Sequence, residues 1–117
     1  MSLFDTTQIT LERALSGASL RQEALASNLA NVNTPGYQRQ DVDFHDALRG
    51  ALAGGDPSAA QFAVTTDPSA PVRADGGTVD PDVESATLAK NGLEYETLTT
   101  VAKARLSILE AAIGNGR

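Results

Sequence analysis

The 117-residue sequence has no cysteine and no tryptophan. Without a thiol there is no disulfide, no thiolate metal site and no cysteine nucleophile. The single histidine, His45, leaves no pair of imidazoles for acid–base work within the chain. Aromatic residues amount to 4%: Phe4, Tyr37, Phe44, Phe62 and Tyr95. Leu, Ile, Val and Phe together number 26, about 22% of the chain and just above the ~20% below which chains tend to remain disordered. Ordering a chain of this size costs more entropy than so thin a core readily offsets, so a large self-sufficient core is not expected. No run approaches the ~20 apolar residues needed to cross a bilayer, so no membrane insertion is expected. The first residues lack the cationic and apolar segments of a cleavable signal peptide. Composition alone points to the cytosol.

Cations are also scarce: nine Lys and Arg stand against fifteen Asp and Glu, a net charge of −6. A nucleic-acid binder needs clustered cations to displace counterions, so that class is set aside. The charge is uneven. Residues 41–81 hold seven Asp against Arg49 and Arg73, whereas both ends are nearly neutral. Asp41, Asp43, His45 and Asp46 form the densest ligand-bearing cluster, but Asp43 reads better as a helix cap and no second cluster supports a metal. The phosphate-cradling, His-Glu-x-x-His and Gly-x-Ser-x-Gly patterns are all missing. No catalytic residue, metal or cofactor is expected, and the chain does not read as an enzyme.

Two long amphipathic patterns are present. Phe4, Gln8, Leu11, Leu15, Ala18, Gln22, Leu25, Leu29 and Val32 step by four and three, predicting a helix over 4–32 capped by Asp5, Thr6 or Thr7. Its stripe is thin, with glutamines in the seam and Gly17 in the interior, so it needs partners. A second helix is predicted over 81–113. Asp80 serves as its cap, Pro81 as its first residue, and Asp82 and Glu84 complement the dipole. Leu88, Gly92, Tyr95, Thr99, Ala102, Leu106, Leu109 and Ile113 form its stripe, flanked by Leu98, Val101 and Ile108. Gly114 and Gly116 are read as its stop.

Residues 50–81 contain five Gly and four of the five Pro, a loop composition that predicts a solvated, acidic middle. A short helix over Phe44–Ala53, with Asp43 as cap and Asp46 completing a capping-box-like pair, is better supported than a strand near Gln61–Thr65. The predicted class is all-α. The divisions fall at 1–33, 34–80 and 81–117.

The most specific stretch is Asn28-Leu-Ala-Asn31-Val-Asn33-Thr34-Pro35-Gly36-Tyr37. Thr34 precedes proline and is pushed out of helical space, so the first helix must end by about Asn33. Pro35 and Gly36 suit the centre of a type II turn. Asn33 can take a left-handed cap or bond its own backbone. Asn28 and Asn31, three apart, share a helix face. Local physics alone makes this a helix stop and a turn.

The same stretch resembles the N-terminal signature of the flagellar axial proteins, the rod and hook family. Asn28, Asn31, Asn33, Thr34, Pro35, Gly36 and Tyr37 stand where that signature has them. Leu88-Ala-Lys-Asn-Gly-Leu-Glu-Tyr95 is similar to the basal body rod members, above all those of the proximal rod. The short length agrees, since hook and distal rod proteins carry large insertions between similar ends. The resemblance implies a structural subunit of the proximal rod, in the periplasmic space, transmitting torque from the MS ring toward the hook. It implies terminal helices that pair as an antiparallel coiled-coil-like hairpin and order on assembly. Packing would fall to Leu11, Leu15, Leu25, Leu29, Val32, Leu88, Tyr95, Ala102, Leu106, Leu109 and Ile113. Implied partners are copies of itself, a FliE-type junction protein, other proximal rod proteins and the flagellar type III export apparatus. Export would be unfolded and without cleavage. Phe44 and Leu48 resemble the Phe-x-x-x-apolar motif read by the export gate, although one turn of a core helix gives the same spacing. Another proximal rod protein with similar ends, or a small soluble helical binding module such as a secretion chaperone, remains the alternative.

Overall fold

The computed structural model describes residues 5–115. Phe4, the first stripe position, and Gly116, one of the two expected helix stops, lie outside the described residues.

Helix α1 spans Thr6–Ala30. Asp5 caps it, Oδ1 accepting the Gln8 amide at 3.0 Å and so satisfying a free N–H of the first turn. The helix ends two residues before the predicted Val32. Asn31 terminates it: its backbone N–H still bonds the Ser27 and Asn28 carbonyls, while its Nδ2 donates to the Ser27 carbonyl at 2.8 Å. The chain then leaves through tight turns, Val32 N–H to Leu29 and Thr34 N–H to Asn31. No residue other than glycine has a positive φ among the described residues, so Asn33 does not take the left-handed conformation that was one of its two readings.

A two-residue strand, β1 (Gln40–Asp41), pairs antiparallel with β2 (Thr65–Thr66), Gln40 facing Thr66 and Asp41 facing Thr65. The strand predicted near Gln61–Thr65 is thus reduced and shifted toward the chain end. Phe62 instead turns inward, its ring under the Arg13 guanidinium at 4.8 Å, and Arg13 also bonds the Ala60 carbonyl. Helix α2 covers Phe44–Ala53 as predicted, Asp43 accepting the Asp46 amide at 3.4 Å. The Asp46 carboxylate pairs with Arg49. A 3₁₀ turn follows at Pro57–Ala59.

Helix α3 runs unbroken from Pro81 to Asn115, about 52 Å at 1.5 Å per residue. Asp80 Oδ1 accepts the Asp82 amide at 3.0 Å and so caps its start. Gly114, read as a stop, is still helical: a glycine favours a helix end chiefly where it turns to positive φ, and this one does not.

The molecule is long and thin, 67 × 27 × 14 Å. Helix α1 touches α3, α2, β1 and the 3₁₀ turn, so it lies between α3 and the middle segment. The contacts to α3 run in opposite chain order. Asp5 and Gln8 meet Arg105, Ala18 and Gln22 meet Asn91, and Asn28 meets Glu84. The buried apolar set is small and alanine-rich, with Ala14, Ala18, Ala24, Ala60 and Ala102 beside Leu25, Val42, Phe44, Leu48 and Val79. The middle segment supplies half of this set, including its largest member, Phe44. Within 50–81, read as a solvated loop, Ala60 and Val79 are buried, and that corrects the reading there.

Candidate functional site

The turn that follows α1 has the predicted geometry. Tyr37 N–H bonds the Thr34 carbonyl at 3.2 Å, and Gly36 sits between them at φ 75°, a conformation that a side chain would strain. A second glycine turn docks against it. Gly36 N–H donates to the Asp75 carbonyl at 3.1 Å, and a Cβ built on Gly76 would lie 3.4 Å from the Gly36 Cα. Arg73 secures both, bonding the Val32 carbonyl at the end of α1 and, at 3.0 Å, the Val79 carbonyl before α3. The Gly77 amide donates to the Asp75 carboxylate and, with Arg73, holds it below the ordinary aspartate range against some opposing burial. Asn33, Thr34, Pro35 and Gly36 themselves are exposed.

Asn28 and Asn31 share a helix face but not a task. Asn31 works locally, capping α1 and accepting the Thr34 hydroxyl at 3.1 Å. Asn28 is fully buried. Its Oδ1 accepts the Gln40 amide at 2.9 Å, and its Nδ2 donates both to the Gln40 carbonyl and to Glu84 Oε1 at 2.7 Å. Tyr37 lies over this pair, its hydroxyl 3.2 Å from Ser27 Oγ and 3.4 Å from Asn28 Oδ1. Thr78 joins the far side, its hydroxyl donating to the Tyr37 carbonyl and accepting the Arg39 amide.

The sequence reads Arg39 as a solvated cation or one that pairs with a neighbouring subunit, whereas the structure pairs it within the chain. Its guanidinium bonds Glu84 Oε2 at 2.8 Å, Asp67 Oδ2 at 2.8 Å and Asp41 Oδ2 at 3.2 Å, joining the chain after the turn to β1, to the residue after β2 and to α3. Burial opposes its charge, but Glu84 and Asp41 outweigh that and raise its pKa. Asp41 is held low in turn: burial pushes its carboxyl up, and bonds from Arg21 and the Val42 amide with the charges of Arg21 and Arg39 more than reverse it. Asp67 is lowered chiefly by the Ser69 hydroxyl and amide, with Arg39 adding to them. Partners 28 and 45 residues away leave no local signal in the sequence. Gly17, by contrast, did carry one. It reads as a weak point in α1, and it is the seat of Phe44, whose Cβ would lie 2.5 Å from an added methyl.

The predicted packing residues divide. Leu25 and Ala102 are buried, and Leu11, Leu15, Leu29, Val32, Leu88 and Leu109 are half-buried. Tyr95, Leu106 and Ile113 are exposed, Tyr95 at the edge of the contact between α1 and α3. Phe44 and Leu48 are both buried in the folded chain. The acid–imidazole cluster is dispersed: Asp41 to Arg21 and Arg39, Asp43 to its helix cap, Asp46 to Arg49, and His45 Nε2 to Glu94 at 2.6 Å.

What this arrangement offers is connection rather than chemistry: buried amides and ion pairs hold a turn and two helix ends in one place. The family described as flagella basal body rod protein matches residues 10–38, which is α1 from its first turns through the glycine turn. The chain is similar to the flagellar basal body rod protein FlgB of Escherichia coli (strain K12), 32% identical over 124 residues that cover 86% of this chain and 90% of the relative. It is also similar to FlgB of Proteus mirabilis (strain HI4320), 29% identical over 90% of this chain and 91% of the relative. FlgB of Bacillus subtilis (strain 168) is 27% identical over the whole of both chains.

Proposed function

The chain belongs to the flagellar basal body rod protein family, and we propose from that membership that it is a structural subunit of the proximal rod. The observation that carries the mechanism is where its apolar surface lies. Along α3, Val83, Leu93, Val101, Leu106, Ile108 and Ile113 are each more than 40% exposed. The side of α3 that meets α1 instead buries Glu84 and Asn91. A helix so arranged gains its apolar burial from neighbouring molecules, each large side chain contributing about 1.5–3 kcal/mol when covered. The α1–α3 pair acts as a coiled-coil-like hairpin in the wall of the rod, and these exposed residues, on two flanks of α3, pack on adjacent subunits. Copies of itself, other proximal rod proteins and a FliE-type junction protein are the neighbours. Torque then passes through packed helices and through the turn at Thr34–Tyr37.

Export precedes assembly, through the flagellar type III apparatus and without cleavage. Phe44 and Leu48 are at most 8% exposed once folded, so a gate that reads them acts on the unfolded chain. The cysteine-free sequence has no disulfide to oppose threading.

Quantitative mass spectrometry of purified basal bodies tests the assignment. The uncleaved chain is expected at a few copies per basal body. Its absence from basal bodies with retention in the cytosolic fraction would overturn the rod reading in favour of a soluble helical binding module.

A further inference from the structure

The line of α3 that meets α1 contains Glu84, Asn91, Leu98 and Arg105, spaced by seven residues. Seven residues are close to two helical turns, so the four sit one above another. Each has its own partners. Asn28 Nδ2 donates to Glu84 Oε1 at 2.7 Å. Asn91 Nδ2 donates to the Ala18 carbonyl at 2.9 Å and to Gln22 Oε1 at 2.8 Å. Leu98 packs on the cluster that contains Ala18 and Ala24. Arg105 reaches the Asp5 carboxylate at 3.1 Å and Gln8 Oε1 at 3.4 Å. Gln8, Asn28, Glu84 and Asn91 are no more than 2% exposed. Along the row the chemistry runs acid, amide, hydrocarbon, base, and no step repeats.

We propose that this row is a register lock that fixes how α3 lies along α1. The alanines of the seam, Ala14, Ala18 and Ala102, cannot do this, because small apolar contacts are nearly interchangeable after a slide. The polar rungs are not. Sliding α3 by one heptad, about 10 Å, sets Asn91 or nothing against Asn28 and takes Glu84 away from both Asn28 and Arg39. A buried carboxylate without its partners is strongly disfavoured, so the slipped state is rejected by its unpaired groups. A polar residue in an apolar seam sets register at the expense of stability, and Asn91 carries that expense: its Oδ1 is buried without a partner among the described residues. In a helix whose outer face is to pack on neighbours, the lock also fixes which outer residues stand at which height.

The lock belongs to the chain itself, so its test uses purified full-length protein and does not depend on rod assembly. Ser19 and Tyr95 line one shallow cleft between α1 and α3, and Leu88 lies one heptad before Tyr95. In the cysteine-free background, Ser19→Cys with Tyr95→Cys reports the native register, and Ser19→Cys with Leu88→Cys or with Ala102→Cys reports a slip of one heptad in either direction. Oxidative cross-linking within monomers is expected to favour the native pair at least tenfold. Adding Glu84→Leu and Asn91→Leu makes the row uniformly leucine from 84 to 98. A slipped pair is then expected to gain at least fivefold relative to the native pair. An unchanged ratio, or no preference in the unsubstituted seam, would overturn the lock. If the doubly substituted protein loses its helical circular dichroism, Asn91→Leu alone is read in the same way, and the ratio again decides.

Discussion

Two glycines in this chain are needed for different reasons, and substitution separates them. At Gly17 the constraint is space: an added methyl would lie 2.5 Å from Phe44 Cβ and 2.6 Å from Cγ. Alanine there improves helix propensity by about 1 kcal/mol, but overpacking a seated aromatic costs roughly 1–3 kcal/mol, so Gly17→Ala is expected to destabilise on balance. Thermal or urea unfolding checks this, and the cost of Gly17→Ala should shrink in a Phe44→Ala background, where two of the three close atoms, Cγ and Cδ2, are gone. At Gly36 nothing lies within 4 Å of the built Cβ, and the constraint is φ at 75°. Gly36→Val strains the backbone by at least 1–2 kcal/mol, the approximate left-handed penalty for an ordinary residue. It is expected to loosen the turn, lower rod incorporation and reduce swimming. Normal motility of this variant would count against the turn as the element that directs the chain out of α1. Gly17 and Gly36 also mark how far single residues can be read. The Pro35-Gly36 pair announces its turn through proline's fixed φ, whereas Gly17 announces only that a side chain is missing, not what fills the space.

At the scale of elements, the Arg39 cluster joins what the helices do not. It ties the segment after the turn to α3 through Glu84, and to the β1–β2 ladder through Asp41 and Asp67. Glu84 is 1% exposed, so Arg39→Met leaves a buried carboxylate with Asn28 alone. Breaking a buried pair from one side costs about 3–5 kcal/mol. The expectation is a large fall in unfolding free energy for Arg39→Met, largely restored by adding Glu84→Gln, as measured by denaturant titration. Acid acts on the same element. Asp41 and Asp67 have folded pKa values below the ordinary 3.8, so below that value the unfolded chain binds more protons than the folded one. Their contribution is complete above pH 3.8 and is lost as pH falls through the lowered folded values. Hydrogen exchange at the Asp67 amide, which bonds the Arg39 carbonyl at 2.8 Å, should accelerate relative to mid-α1 amides as pH drops below about 4, after correction for intrinsic rates. The helices were legible in the sequence because caps and four–three spacing are local. Asp43 before α2 and Asp80-Pro81 before α3 are such local signals. The ladder and the Arg39 cluster were not legible, because ion pairs across 28 and 45 residues have no periodicity. The same holds for residues 50–81: their Gly, Pro and Asp content describes loops correctly and says nothing of Ala60 and Val79 packing inward.

For the molecule as a whole, polarity is distributed against the usual rule. Four of the seven largest fully buried side chains are polar, Gln8, Asn28, Glu84 and Asn91, while α3 alone exposes seven large apolar or aromatic residues. The 3.6-residue pattern marks a stripe on α3 from Leu88 to Ile113, but periodicity does not say whether a stripe faces its own chain or another. Tyr95, Leu106 and Ile113 were read as packing residues and are exposed here, which the rod assignment explains if neighbouring subunits cover them. That yields a prediction in which stability and assembly part company. Ile108 is 68% exposed, so Ile108→Glu removes no contact within the chain and should change unfolding free energy by no more than about 0.5 kcal/mol. Placed in an interface between subunits, the same carboxylate would be buried without a partner, and incorporation into basal bodies should fall tenfold or more. Ser85→Glu, also exposed on α3 but turned away from the exposed apolar residues, controls for added charge and should incorporate nearly normally. Loss in both variants would point to charge alone. Normal incorporation of Ile108→Glu would remove its flank of α3 from the assembly surface, leaving the opposite flank with Tyr95, Leu106 and Ile113, and the exposed turn at Asn33–Gly36, as the features through which this chain meets its neighbours.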